Sequence, residues 1–336
     1  MPAMSNDQTV KGVAFEKMSL DDRTTTPMSD NANGSLKAET IRLANLIYTH
    51  SSHDGTYAAR IPGLYVNRYS RIEATDYVHT IYSPAVGIAA QGKKIITVGK
   101  DVYEYGGSRI FIAPVALPVA MKTILASPTE PFLGVGLYLD PQRIAALVPK
   151  VYPHGLPTIR NRRAGYVMDA DLALINAMAR LVDCLSSPGD DHLIASLIMD
   201  EIFIRLLRSP IGVYVAETVF AESSVQRVVK AIDWLQNNFS QPFKIADLAE
   251  MVHLSESSFR EHFKSVTAMS PLQYRNVLRL QEARRLMLSN QMDATTACRI
   301  VGYASDSQFS REYSRFFGSP PNKDIARWRQ ERRNLN

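Results

Sequence analysis

Hydrophobic and polar positions change texture three times along the chain. Met1 to about Gly34 is rich in Ser, Thr, Asn and Asp and holds no sustained apolar period, so residues 1–35 are expected to form a disordered tail. Leu36, Thr40, Leu43 and Ile47 then share one face at helical spacing, which predicts a short amphipathic helix ending near His50. From Ile61 to Asp140 the period shortens. Apolar or alternating runs recur at Leu64–Tyr69, Val86–Ala90, Ile95–Val98, Val102–Tyr105, Ile110–Ala113, Val119–Ile124 and Leu133–Leu139. Gly99-Lys100-Asp101 and Gly106-Gly107-Ser108 punctuate them as turns. No helix-length pattern separates the runs, which disfavours a parallel doubly wound sheet. Seven or eight short strands over residues 61–140 predict a small barrel or sandwich.

From Pro141 the pattern turns helical, with helices expected at Pro141–Lys150, Asp171–Leu185 and Asp191–Leu207. The last carries apolar residues on more than one face, including Leu193, Leu197, Ile198, Ile202, Phe203 and Leu206. Such a helix needs two apolar partners: the barrel and a second subunit, or two surfaces of the same chain. Residues 36–208 therefore read as one domain, 209–224 as a linker opened by Ser209-Pro210-Ile211-Gly212, and 225–330 as an all-helical domain.

The helical domain repeats itself. Val252-His-Leu-Ser-Glu-Ser-Ser-Phe259-Arg-Glu-His-Phe263 returns as Val301-Gly-Tyr-Ala-Ser-Asp-Ser-Gln-Phe309-Ser-Arg-Glu-Tyr313, offset by 49 residues and then 50. Each copy reads as helix, tight turn, helix. Ser255 is a good N-cap for the second helix of the first copy, and Ser305 with Gln308 forms a capping box in the second. Phe259 and Phe263, and likewise Phe309 and Tyr313, lie one turn apart and must bury together. The opposite faces then present Ser257, Arg260, Glu261 and Lys264, and Asp306, Ser307, Gln308 and Arg311. A short capped helix of this kind fits the DNA major groove, where Arg takes guanine bidentately and Glu accepts from cytosine. The intervening helix, Leu272–Leu288, nearly bridges two successive major grooves ~34 Å apart at ~1.5 Å per residue.

The charge distribution sharpens this picture. The 336-residue chain carries a net charge of +5. Residues 222–336 hold 17 Lys+Arg against 12 Asp+Glu, whereas residues 1–221 hold 21 of each, so the whole excess belongs to the repeated module. A basic module on a neutral body fits a nucleic-acid partner. Two cysteines exclude a disulfide scaffold and zinc sites with three or four cysteines. No apolar run reaches ~18 residues and no secretory signal opens the chain, so a cytoplasmic protein is expected.

At Gly302-Tyr303, Ser305-Asp-Ser-Gln-Phe309-Ser-Arg311 and Phe317-Gly318-Ser-Pro320, with Leu248-Ala249 and Ser270-Pro271-Leu-Gln-Tyr274 in the first copy, the chain resembles the AraC/XylS family of bacterial transcription regulators. The resemblance spans about Val225 to Trp328. It implies base contacts from Ser257, Arg260, Glu261, Asp306, Ser307 and Arg311. Where family members often carry Pro-x-x-Tyr-Arg, this chain has Pro321-Asn-Lys-Asp324-Ile-Ala-Arg327. Pro84 to Lys93, Tyr103-Glu-Tyr105, Leu117-Pro118-Val119 and Ala126-Ser127 resemble the cupin-like N-terminal domain of an AraC-type subgroup. The resemblance thus implies an α+β multidomain fold: a cupin-like β-barrel with flanking helices that senses a small molecule and dimerises, then two helix-turn-helix units. Promoter DNA, an unidentified effector, RNA polymerase and a second copy are the implied partners.

Other chemistry recedes. The barrel region has His79 alone where a cupin metal site needs clustered His and Glu, so no metal, cofactor or catalytic residue is expected, although a cupin-type enzyme is the alternative class. His50 and His53 read as surface residues, Cys184 and Cys298 as buried thiols. Tyr65, Tyr69, Tyr82, Tyr103 and Tyr105 either line a pocket or pack as core rings. A further alternative keeps DNA binding and leaves the barrel only an oligomerising role.

Overall fold

The computed structural model describes residues 30–333 apart from 73–76, 159–161, 188, 190–192, 222 and 290–291. Most of the tail expected to be disordered therefore lies outside the described residues. Helix α1 (Asp30–Thr49) begins within the last residues assigned to it. Thr40, Leu43 and Ile47 are buried, as their spacing predicts.

Among the described residues ten strands follow: β1 (Gly55–Ala58), β2 (Leu64–Tyr69), β3 (Val78–Tyr82), β4 (Ala85–Gln91), β5 (Lys93–Val98), β6 (Asp101–Gly106), β7 (Arg109–Ala113), β8 (Leu117–Leu125), β9 (Phe132–Tyr138) and, after helix α2 (Pro141–Val151), β10 (Tyr166–Asp169). Seven match the predicted runs. The other three are short and half-exposed, too brief to show an alternating period. Rather than one closed barrel, the strands form two antiparallel sheets, in the orders β1-β2-β9-β4-β7-β10 and β3-β8-β5-β6.

The centre of the larger sheet is buried on both faces, which explains why β4 and β9 read as nearly unbroken small and apolar runs. Val86, Ile88, Ile110, Ile112, Val135 and Leu137 face α1, α3 (Leu172–Asp183) and α4 (Ile194–Leu207) in one core. On the other face small residues make room for rings. A Cβ on Gly136 would lie 2.0 Å from the Tyr65 ring, and one on Gly87 would lie 2.8 Å from the Tyr82 hydroxyl. Most of the apolar residues of α4 bury within the chain, while Leu193, Ile194 and Leu197 at its start stay exposed.

The linker is structured. Residues 209–224 include α5 (Gly212–Glu217), whose Tyr214, Val215 and Ala216 are buried. Glu217 pairs there with Arg162 through two bonds of 2.7 and 3.0 Å. The helical domain comprises α6 (Ser224–Asn238), α7 (Ile245–Met251), α8 (Glu256–Thr267), α9 (Pro271–Ser289), α10 (Ala294–Ile300), α11 (Asp306–Phe317) and α12 (Pro321–Arg333). One apolar cluster runs from the inner sheet faces into α6, α7, α8 and α9, so the two domains share a core. Tyr274 donates to the Ala116 carbonyl at 3.0 Å, and Gln281 to the Thr80 carbonyl at 3.2 Å. His79 packs on Phe316 and Phe317, with ring centroids 4.8 and 5.0 Å apart. The lone barrel histidine is thus an interdomain contact. Among the described residues no group of three or more His, Cys, Asp or Glu could hold a metal.

Candidate nucleic-acid interface

Helices α8 and α11 are built alike. Each starts on a serine whose hydroxyl accepts a backbone N–H, Ser255 from Ser258 at 3.2 Å and Ser305 from Gln308 at 3.3 Å. The Phe259–Phe263 and Phe309–Tyr313 ring pairs both lie 5.5 Å apart, at 63° and 62°. Those rings fasten each helix to the one before it, α7 or α10, and leave the opposite side in solvent. The predicted capping box forms only by half. Gln308 turns toward the C-terminus and donates to Glu312 at 3.0 Å, a charged acceptor one turn on.

The turns match as well. His253 and Gly302 hold corresponding places, at φ 55° and 87°. Gly302 is required for a second reason: a Cβ there would lie 2.0 Å from the Ser240 carbonyl at the end of α6.

All eight residues predicted to face DNA are exposed: Ser257, Arg260, Glu261 and Lys264 on α8, and Asp306, Ser307, Gln308 and Arg311 on α11. Arg260 is paired with Glu256 one turn back at 3.0 Å. An exposed pair at this spacing contributes only ~0.3–0.5 kcal/mol, so Arg260 exchanges it readily for a base or phosphate. The Arg311 side chain makes no hydrogen bond or ion pair with another described residue. Its guanidinium is available for the bidentate geometry that guanine presents.

Sequence reasoning did not reach the residues that hold the two units together. Arg279 on α9 is only 7% exposed. It donates to the carbonyls of Phe239 at 2.7 Å and Ser240 at 3.1 Å, at the end of α6. Its other face lies over the Tyr303 ring at 5.6 Å. Burial lowers its affinity for its proton below the ordinary guanidinium range. It joins the carbonyl end of α6 in the first unit to the turn of the second. Tyr303 in turn donates to Glu312 at 2.8 Å, and Asn276 of α9 reaches the same carboxylate at 3.5 Å. The available signal was Leu278-Arg279-Leu280: a helical arginine between two leucines that are both buried.

The second unit has its own buried charge. Asp324 is fully buried on α12 and accepts from Nε and Nη2 of Arg284, at 2.8 and 3.0 Å. The Tyr313 hydroxyl donates to it at 2.7 Å. The departure from the family pattern at this position is thus a closed polar network.

Comparison with known proteins adds three findings. Residues 60–214 match a family model described as the AraC-type transcriptional regulator N-terminus, and residues 248–327 match a helix-turn-helix domain. Similar curated proteins are HTH-type transcriptional activators RhaS. That of Pectobacterium carotovorum subsp. carotovorum (strain PC1) is 31% identical over 105 residues, 31% of this chain and 38% of that protein. That of Yersinia pestis bv. Antiqua (strain Angola) is 26% identical over 143 residues, 42% and 51%. The chain thus spans about half or less of these relatives' length. Wild-type ToxT from Vibrio cholerae strain SCE256, solved with an unsaturated fatty acid bound, superposes with a TM-score of 0.51. The match covers 80% of this chain and 97% of ToxT at 11% identity, a likeness of fold.

Proposed function

The chain belongs to the AraC-type transcriptional regulators, and from that premise we propose that it binds promoter DNA sequence-specifically through α8 and α11. The observation that carries this reading is the pair of matched helices, alike in cap, turn and ring pair, with every predicted contact residue in solvent. In this reading Arg260 and Arg311 take base edges, Glu261 and Asp306 accept from cytosine amines, and Lys264 takes a phosphate. Ser257, Ser307 and Gln308 complete the two faces.

Residues 36–208 serve as a sensing and dimerising domain in the cytoplasm, 209–224 as the connection, and 225–330 as the DNA-binding domain. The protein is a regulator and performs no catalysis of its own. Modulation by a small molecule is supported by the ToxT fold, which has been solved with a fatty acid. A homodimer through the exposed start of α4 is supported by Leu193, Ile194 and Leu197. RNA polymerase is the partner through which bound protein would act.

Sequencing genomic DNA recovered with the full-length protein tests the reading. A shared motif with two half-sites about one helical turn apart is the expected result. Recovery of DNA with no preferred sequence would sink it. Stoichiometric iron, manganese or zinc in purified protein would instead favour the cupin-type enzyme.

A further inference from the structure

The smaller sheet touches both helix-turn-helix units, and it does so behind their recognition helices. In the first unit the contact runs through rings. Phe263, on the inner face of α8, lies 5.6 Å from Tyr274 of α9, edge to face at 89°. Tyr274 is fully buried and donates to the Ala116 carbonyl, one residue ahead of β8, at 3.0 Å. The turn between β5 and β6 abuts the end of α8: a Cβ on Gly99 would lie 3.0 Å from the Ala268 carbonyl.

The second unit is held in the same manner by different residues. Tyr313, on the inner face of α11, lies 4.4 Å from Phe317. Phe317 meets the His79 ring of β3 at 5.0 Å, and Phe316 packs on the same imidazole at 4.8 Å. His79 therefore sits against two rings at the end of α11. Between the units, α9 is fixed to the same strand, because Gln281 donates to the Thr80 carbonyl at 3.2 Å. His79 and Thr80 pair in register with Ala120 and Val119 of β8. The anchors of the two units thus lie on one hydrogen-bonded ribbon, with Arg279 joining the units separately at the end of α6.

We propose that the smaller sheet is a spacing gauge. It holds α8 and α11 at one separation and rotation, and so selects the distance between the two DNA half-sites. His79 is the positioning residue for α11. The proposal rests on the regulator reading above and deepens it. One added base pair moves a half-site by about 3.4 Å and turns it roughly 35° around the duplex. Two units free to shift would follow that displacement and keep both contacts. Two units seated on one sheet engage only one half-site, and the gain from joint binding is lost. Specificity then includes a property of the DNA that no side chain reads.

Full-length wild type, His79→Ala, His79→Phe and Gln281→Leu are compared on duplexes that carry the recovered half-sites at natural spacing, and with base pairs added or removed between them. Wild type should lose affinity steeply on either side of the natural spacing. His79→Ala removes both ring contacts and should cut that discrimination by about fivefold, with affinity for a single half-site unchanged. His79→Phe keeps the rings in contact and should restore it. Gln281→Leu removes only the bond from α9 and should cut it by about threefold, which gives the same reading should His79→Ala not fold. A nitroxide pair at Ser257→Cys and Ser307→Cys, exposed and 50 residues apart on the two helices, measures their separation without DNA. Its distance distribution should widen in His79→Ala and return to the wild-type width in His79→Phe. Equal loss at every spacing, equal loss on single half-sites, or an unchanged width in His79→Ala would each overturn the gauge. A width that changes as expected, in protein that binds DNA without sequence preference, would instead remove the regulator reading and leave the sheet's hold on the two helices standing.

Discussion

Ala268 and Gly318 end the two recognition helices in the same left-handed turn, at φ 59° and 75°. They lie 50 residues apart, the offset of the repeat, so the backbone conserves a shape that the side chain at 268 resists. A left-handed residue with a Cβ costs ~1–2 kcal/mol, offset in part by the ~0.5–1 kcal/mol of chain entropy that glycine loses on folding. Ala268→Gly should therefore stabilise the protein by roughly 0.5–1 kcal/mol, and Gly318→Ala should destabilise it by a similar amount. Urea midpoints of the two variants check the opposite signs.

The repeat is the part of the fold most legible in the sequence, because its caps, turns and ring pairs are local and occur twice. Seven strands were legible for a similar reason: their apolar runs are long enough to set a period. β10 escaped because four half-exposed residues between helices carry no period, and only pairing with β7 makes them a strand. α5 escaped because Pro210 and Gly212 read as breakers, whereas Tyr214 buries against Tyr166 across the domain, 5.3 Å away. At the site, the outward faces follow from helical geometry alone. Arg279 and Asp324 do not, since a buried charge is defined by partners about 40 residues away in the chain.

Asp324 should be the most sensitive polar position in the second unit. Removing one partner of a buried ion pair leaves the other charge uncompensated and costs ~3–5 kcal/mol. Asp324→Ala should lose stability in that range and expose the amides of α11 to hydrogen exchange. Asp324→Ala combined with Arg284→Met should recover part of the loss, because the orphaned guanidinium is gone. A double variant no more stable than the single one would show that Arg284 is not the cause.

Arg279 predicts a different kind of defect. Arg279→Met leaves the carbonyls at the end of α6 unpaired, which costs ~1–3 kcal/mol. It also loosens the first unit from the second. Affinity for a site with both half-sites should fall more than affinity for either half alone. Arg279→Lys should restore little, since a compact ammonium lacks the rigid planar fork that spans the two carbonyls while lying over the Tyr303 ring. An equal loss on full and half sites would place the effect in stability and not in coupling.

Arg311 and Lys264 should separate base reading from phosphate contact. Arg311→Ala should cost ~1–3 kcal/mol on the preferred site and relax one base position. Lys264→Ala should weaken all sequences alike and reduce the slope of log affinity against log salt by about 1. Binding measured over a salt series on matched and mismatched duplexes distinguishes them. Identical behaviour of the two variants would contradict the assigned roles.

Alkaline stability should carry the signature of Cys298. Burial first, and then the Asp306 carboxylate, push its thiol up to about 11 from an ordinary value of 9.0. The folded form therefore keeps its proton where the unfolded chain has released it. The stabilisation is fully present below pH 9.0 and is lost as pH rises toward and through about 11. Buried Tyr82, Tyr105, Tyr214 and Tyr274 are also raised by burial and add the same sign, but only from their ordinary value of 10.0 upward. Between those two ordinary values the thiol titrates ahead of the phenols, so Cys298→Ala should flatten the early fall and leave the later one. Urea midpoints at half-unit steps from pH 8 to 10.5 resolve the two phases. A wild-type midpoint that stays level up to pH 10, or a variant that falls as early as wild type, would remove Cys298 from the account.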